Sequence, residues 1–328
     1  FVVASMGHEV HDEDPVQPTT NSYKDVQRCS QVRPEGPPNG TNCFDPVWVD
    51  EMVRADASPG KTIVNIGCNK GNDAIRWMEL WDMSTEHFWS QAKWNELMPK
   101  EVASTFKCKP QRQYVTASTL QPASKQSKKA VPTGICVEPM PNTIGFLNLT
   151  AKALGYNAST LHGSFHIVSA AVLGKASAGE TRSFPNLYPG KENVKVQLLE
   201  TDEMKCNPCD VPVKTVDSIL QELAVKDADI LLIDTEGYDA EVLKGAKRTL
   251  AKVRYLEFEV HRDIKPWSSV SLKSVVTDLD QQGFDCYWAG NNGKLTDIKN
   301  CWSDLFERGV WSNAVCVRRG DVWSGVLQ

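Results

Sequence analysis

Four polar side chains stand at the ends of two apolar runs. Asp234 and Glu236 follow Asp229-Ile-Leu-Leu-Ile-Asp234, and Glu259 and His261 close Tyr255-Leu-Glu-Phe-Glu-Val-His261. Alternate residues of a strand face the same side, so Glu259 and His261 point together. Asp234 and Glu236 do likewise if the extended geometry runs on. Three carboxylates and an imidazole suit the removal of a proton from a hydroxyl, with His261 as the general base and Glu259 or Asp234 orienting it. The same group suits a divalent cation such as Mg²⁺, held by Asp234, Glu259 and His261. Each residue also has an ordinary structural role. Asp234 can cap the following helix, Glu236 can sit in a turn, and His261 can be a plain hydrogen bonder.

A second constellation lies upstream. In Thr62-Ile-Val-Asn-Ile-Gly-Cys-Asn-Lys-Gly-Asn72, four of the first five residues are β-branched and Gly67 and Gly71 follow. This pattern predicts a buried strand, a tight glycine loop and a helix start, which lets backbone approach a ligand at a strand's carboxyl end. A nicotinamide dinucleotide favours G-x-G-x-x-G and an acid about 20 residues further on. Here the spacing is GxxxG, and the first acid that ends a following strand is the distant Glu138. S-adenosylmethionine has no phosphate. It needs room for its methionine part and a carboxylate for its ribose hydroxyls, and Glu138, followed by the strand-ending Pro139, meets the second need.

The elements that must position these residues alternate in type. Strands are predicted at 63–66, 134–138, 165–172, 229–234, 255–260, 284–288 and 313–317. Helices are predicted at 46–57, 73–97, 142–154 and 238–253, and over a segment capped by Ser268 and stopped by Gly283. Such alternation gives an α/β fold with a mainly parallel, doubly wound sheet. Residues 1–46 read as an extended arm with little regular structure, and 47–328 as one domain with insertions at about 99–133 and 173–214. The first insertion belongs to a stretch between Val102 and Val137 with six Lys or Arg and no Asp or Glu. That is either a solvated segment or a basic lid for an anionic substrate. A hairpin is predicted around 194–199.

Composition narrows the classes. The 328 residues carry a net charge of −5, which argues against a general nucleic-acid binder. No apolar run approaches the ~18–20 residues of a membrane helix. Ten cysteines favour disulfides and a secretory location, Golgi lumen or secreted, over the cytoplasm. Cys68 and Cys136, in apolar strand regions, read as free buried thiols. Cys206 and Cys209 read as a short disulfide loop or unrelated thiols rather than half of a zinc site. Sequons at Asn39, Asn148 and Asn157 number little above chance. The start at Phe1 fits a removed signal or anchor, or a chosen boundary. The oligomeric state is not legible.

Six blocks in order carry a resemblance. Asn65–Asn72, Val137-Glu-Pro-Met-Pro-Asn142, Ala170-Ala-Val172, Val216–Leu220, Leu232-Ile-Asp-Thr-Glu-Gly-Tyr-Asp-Ala-Glu-Val-Leu-Lys-Gly-Ala246 and Tyr255–His261 resemble FkbM-type methyltransferases across roughly 60–320. The resemblance implies a class I, Rossmann-like fold with a seven-stranded sheet covered by helices on both faces, and transfer of methyl from S-adenosylmethionine to a hydroxyl oxygen. By position, Asn65, Gly67, Cys68, Asn69, Gly71 and Asn72 line the cofactor's methionine end. Glu138 and Pro139 hold the ribose, Ser169 and Ala170 face adenine, and Asp234 borders the site. Asn65 departs from the aspartate that many class I enzymes carry. The expected acceptor is a small-molecule or glycan hydroxyl, with Trp267, Trp288 and Trp302 as stacking surfaces. A non-catalytic cofactor-binding module is the alternative, and a nicotinamide oxidoreductase a distant one.

Overall fold

The computed structural model describes residues 26–27, 46–84, 87–98, 114–120, 131–184, 210–261, 267, 269–290, 295–307 and 311–327. The strands are β1 (Val26–Gln27), β2 (Thr62–Ile66), β3 (Thr133–Glu138), β4 (Ser164–Ser169), β5 (Ala171–Val172), β6 (Thr181–Ser183), β7 (Asp210–Lys214), β8 (Ile230–Ile233), β9 (Tyr255–His261), β10 (Phe284–Ala289), β11 (Leu295–Asp297) and β12 (Trp311–Arg318). The helices are α1 (Val49–Ala55), α2 (Asn72–Leu80), α3 (Gln91–Glu96), α4 (Ala117–Leu120), α5 (Pro141–Leu154), α6 (Val216–Glu222), α7 (Asp239–Lys244), α8 (Lys247–Leu250), α9 (Leu272–Gln281) and α10 (Val322–Leu327).

Nine strands, rather than the expected seven, form the main sheet in the order β1-β11-β10-β12-β9-β8-β2-β3-β4. The run β9-β8-β2-β3-β4 is parallel, β12 pairs antiparallel with β9, and β10 antiparallel with β12. The two further strands are β11, antiparallel to β10, and β1, parallel to β11. β1, two residues long, lies inside the arm expected to hold little regular structure. A small second sheet, β5-β7-β6, uses residues of the second insertion. The hairpin expected around 194–199 and all six cations of the basic stretch lie outside the described residues.

The central parallel strands β2, β3, β8 and β9 are largely apolar on both sides, so alternate residues feed two cores. Ile63, Ile230 and Tyr255 pack with α1, α2, α5 and α10 on one face. Val64, Leu231 and Leu256 pack with α6, α7 and α9 on the other. Among the described residues eight tryptophans, Trp267 and Trp288 included, are fully buried, so those two offer no surface for stacking.

Local chemistry interrupts several predicted elements. The helix expected over 73–97 breaks because the Asp82 carboxylate accepts from Ser84 N–H at 2.8 Å and Trp89 N–H at 3.0 Å. Ser90 then caps α3. The helix expected over 238–253 breaks at Gly245, where a Cβ would meet the Leu173 carbonyl oxygen at 2.6 Å. Asp217 caps the second piece, accepting from Arg248 N–H at 2.8 Å and Thr249 N–H at 2.9 Å. Helix α9 is capped by Ser271 rather than Ser268. The predicted strand 165–172 divides at Ala170, and β5 leaves for the small sheet. In α5 the inward face is Thr143, Leu147, Thr150 and Ala151, while Leu149 is 72% exposed.

Among the described residues two cysteine pairs are joined as disulfides: Cys68–Cys136 and Cys286–Cys316. The first corrects the expectation of free buried thiols. The topology brings the second residue after β2 beside the middle of β3, a proximity across 68 positions that no local pattern announces. Cys206 and Cys209 lie outside the described residues.

Candidate active site

The order of the chain through the sheet decides where a ligand belongs. From β2 the chain runs outward to β3 and β4, then returns to β8 on the other side of β2 and continues to β9. The crevice at the carboxyl ends of β2 and β8 is therefore a topological switch point, the usual ligand position in open α/β sheets.

Register places the polar residues around it. Asn65, Cys136, Leu232 and Glu257 share one row across β2, β3, β8 and β9, and Cys136 and Leu232 belong to the α2 face. Two residues further along, Glu138 in β3 and Glu259 in β9 turn to the same face at the carboxyl edge, and Gly67 and Asp234 stand just beyond the ends of β2 and β8. Backbone bonds carry the ladder into the loops: Gly67 N–H donates to the Val137 carbonyl at 2.9 Å and Asp234 N–H to the Ile66 carbonyl at 2.9 Å.

Each loop has a physical reason for its sequence. Gly67 has φ +78°, and a Cβ there would lie 1.7 Å from the Asp234 carbonyl oxygen. Gly71 also has φ +78°, but its Cβ would strike Trp94 at 2.8 Å and Leu147 at 2.9 Å. The second glycine thus serves helix packing, which is a different task from lining a ligand. Asn69 has φ +43°. Its backbone N–H donates to Glu138 Oε2 at 3.0 Å, and Met140 N–H donates to Glu138 Oε1 at 3.0 Å. Burial pushes the Glu138 carboxyl up to about 7 against these two donors. Asn72 Nδ2 donates to Asn95 Oδ1 at 2.8 Å, whereas Asn69 Oδ1 and Asn72 Oδ1 are buried without a partner among the described residues. Ser169 pairs with Glu138 in the β3–β4 register, and Ala170 N–H donates to the Glu138 carbonyl at 3.3 Å.

A family comparison bears on this geometry. The methyltransferase FkbM domain matches residues 108–286, more than half of the chain. The chain belongs to the FkbM methyltransferase family. No curated protein and no solved structure matched it. The matched region contains β3, β8 and β9, and thus Glu138, Asp234 and Glu259.

In this FkbM methyltransferase the acidic edge is coupled. Burial, and then the carboxylates of Glu236, Asp239 and Asp73, hold Asp234 well above the ordinary carboxylate range, while a side-chain hydrogen bond with Glu259 pulls it back. The outer surface of Asp234 opens to the crevice. Strand geometry does not continue to Glu236. The strand ends at Ile233, and Glu236 takes a left-handed φ of +52° before Gly237.

Sequence reasoning passed over Asp239. It is fully buried, accepts from Thr235 Oγ1 at 3.1 Å and from Glu259 N–H at 3.2 Å, and is raised by burial to about 7. It therefore ties the loop after β8 to the end of β9. The only available signal was an acid in a helix's first turn, which reads as an ordinary capping charge.

His261 lies on the same face two residues beyond Glu259. Its Nδ1 is buried and has no hydrogen-bond partner among the described residues, so neither Asp234 nor Glu259 orients the ring through that atom. Among the described residues, no three His, Cys, Asp or Glu side chains converge as a metal site requires. The proposed cation set of Asp234, Glu259 and His261 is not assembled. Among the described helices none is long and apolar enough to cross a membrane.

Proposed function

We propose that the chain transfers a methyl group from S-adenosylmethionine to a hydroxyl of a small-molecule acceptor, a sugar or glycan being the expected class. One observation carries the cofactor: the polar groups left over at the edge are acceptors. Glu138 and Asp234 are carboxylates, and Asn69 and Asn72 each keep a buried carbonyl oxygen without a partner. Such an edge suits a ligand that is cationic and rich in donors. It repels the pyrophosphate of a dinucleotide, which offers acceptors and negative charge.

Glu138 would hold the ribose hydroxyls, and Gly67, Asn69 and Asn72 the amino-acid end. Ser169 and Ala170 would border the adenine. When bound, the cofactor supplies an electrophilic methyl group on a cationic sulfur. Asp234 is our candidate for the residue that holds the acceptor hydroxyl and takes its proton, because it opens to the crevice and its proton affinity is raised above that of an ordinary carboxylate. Glu259 and Asp239 position it, Glu259 through the side-chain bond and Asp239 through the Glu259 backbone. His261 stands one row further out and is the alternative base. Residues 47–328 act in this reading as one catalytic domain. The paired cysteines favour an oxidising compartment.

Calorimetry tests the reading. Binding of S-adenosylmethionine is expected, with about a 10- to 100-fold loss in Glu138→Ala, the scale of a charged hydrogen bond. Tight NAD binding with no S-adenosylmethionine binding would refute it. Labelled cofactor, offered with neutral and acidic glycans and simple alcohols, identifies the acceptor.

A further inference from the structure

We infer that the Cys68–Cys136 disulfide is a positioning element of the cofactor edge, which holds the glycine loop on Glu138 so that the edge is complete only in the oxidised chain. The inference rests on the reading of this edge as an S-adenosylmethionine site. Cys68 stands between Gly67 and Asn69, and Cys136 stands two residues before Glu138. The bond joins the loop after β2 to β3, the same two segments that meet at the Asn69–Glu138 hydrogen bond.

The other ties between these segments are few. Gly67 N–H and Cys68 N–H both donate to the Val137 carbonyl, at 2.9 and 3.1 Å, and two donors share one oxygen there. Asn69 N–H supplies one of the two backbone bonds to the Glu138 carboxylate. With the bond reduced, or both cysteines replaced by alanine, only these backbone bonds tie the loop to β3. β3 is held on both sides by β2 and β4, so the loop is the segment that gains freedom, and the Asn69–Glu138 bond opens more often. Glu138 then loses the donor that aims it at the loop's ligand.

Reduction by a dithiol accomplishes this with balanced chemistry. Two electrons and two protons convert the disulfide to two thiols, and the reductant closes to its own disulfide. The second bridge is a built-in control. Cys286 and Cys316 are register partners on β10 and β12, packed in the core on the opposite face of the sheet, and do not touch the edge.

The test compares the oxidised chain, the chain treated with dithiothreitol, Cys68→Ala/Cys136→Ala and Cys286→Ala/Cys316→Ala. Two readouts are taken on folded protein: S-adenosylmethionine affinity by calorimetry, and deuterium exchange at the Asn69 amide, which needs no ligand. In the treated chain and the first double variant, Kd should rise at least tenfold and the Asn69 amide should lose protection. The second double variant should keep both values while its Tm falls. Unchanged Kd and protection in the Cys68/Cys136 variant, whatever its Tm, would overturn the proposal. So would an equal loss in both double variants, which would mark a merely structural role. Lost Asn69 protection without S-adenosylmethionine binding in any form would overturn the cofactor reading and leave the coupling of loop and Glu138 standing.

Discussion

The carbonyl oxygen of Asp234 occupies the space where a side chain on Gly67 would begin, 1.7 Å from an ideal Cβ. The contact locks the loop after β2 against the end of β8 at the switch point. Gly67→Ala adds a methyl group where there is no room and at a φ of +78°, where a non-glycine residue is already strained. We expect a loss of about 3 kcal/mol in urea unfolding, with cofactor binding abolished. A variant of near-native stability would show that the two loops are not locked.

Glu138 sets a pH dependence. Its folded value of about 7 lies above the ordinary 4.5 because of burial. Between those values the folded chain binds more protons than the unfolded one, so stability falls as pH rises from 4.5 through 7 and levels off above. Asp239 and Glu257, both raised to about 7 by burial, act in the same direction. The urea midpoint of the ligand-free chain should be higher at pH 5 than at pH 8, and Glu138→Gln should reduce the difference while Asp239 and Glu257 keep the remainder. A midpoint that rises with pH across this window would contradict the assignment.

Asp234→Asn should lower kcat by about 10²–10⁴-fold while cofactor affinity changes far less. Because the pKa of Asp234 is raised, the wild-type rate should go on climbing with pH above the range where an ordinary carboxylate has finished ionising. His261→Ala should cost less than about tenfold. The reverse order of the two variants would make His261 the base.

Arg254 fastens the edge of the sheet away from the site. It gives two bonds to Asp321, at 2.6 and 3.0 Å, pairs with Asp56 at 2.8 Å, and lies 3.9 Å over the Trp323 ring. Arg254→Lys keeps the charge but loses the planar fork and the stacking. We expect about 1–3 kcal/mol of destabilisation with kcat unchanged. Equal Tm values for the two proteins would refute this.

Much of this was legible before any coordinates. The apolar run Ile230–Ile233 reads as a buried strand and is one, and the Gly67 loop and the acid after Ile-Cys-Val stand together at the carboxyl edge of the sheet, because these signals are local. Element ends were less legible. Whether Asp82 stops α2, or Ser271 rather than Ser268 starts α9, depends on which side-chain oxygen reaches a free N–H first, and several candidates competed within a few residues.

By itself the sequence determined the family, the alternation of strands and helices, and the residue types at the strand ends, since periodicity and spacing are written along the chain. Only the tertiary structure decided that Cys68 meets Cys136, that Gly71 serves Trp94 and Leu147, that Asp239 anchors Glu259, and that Trp267 and Trp288 are core. These are encounters between segments tens of residues apart. Their distances follow from how the sheet orders its strands, and that order is fixed by the packing of the whole chain.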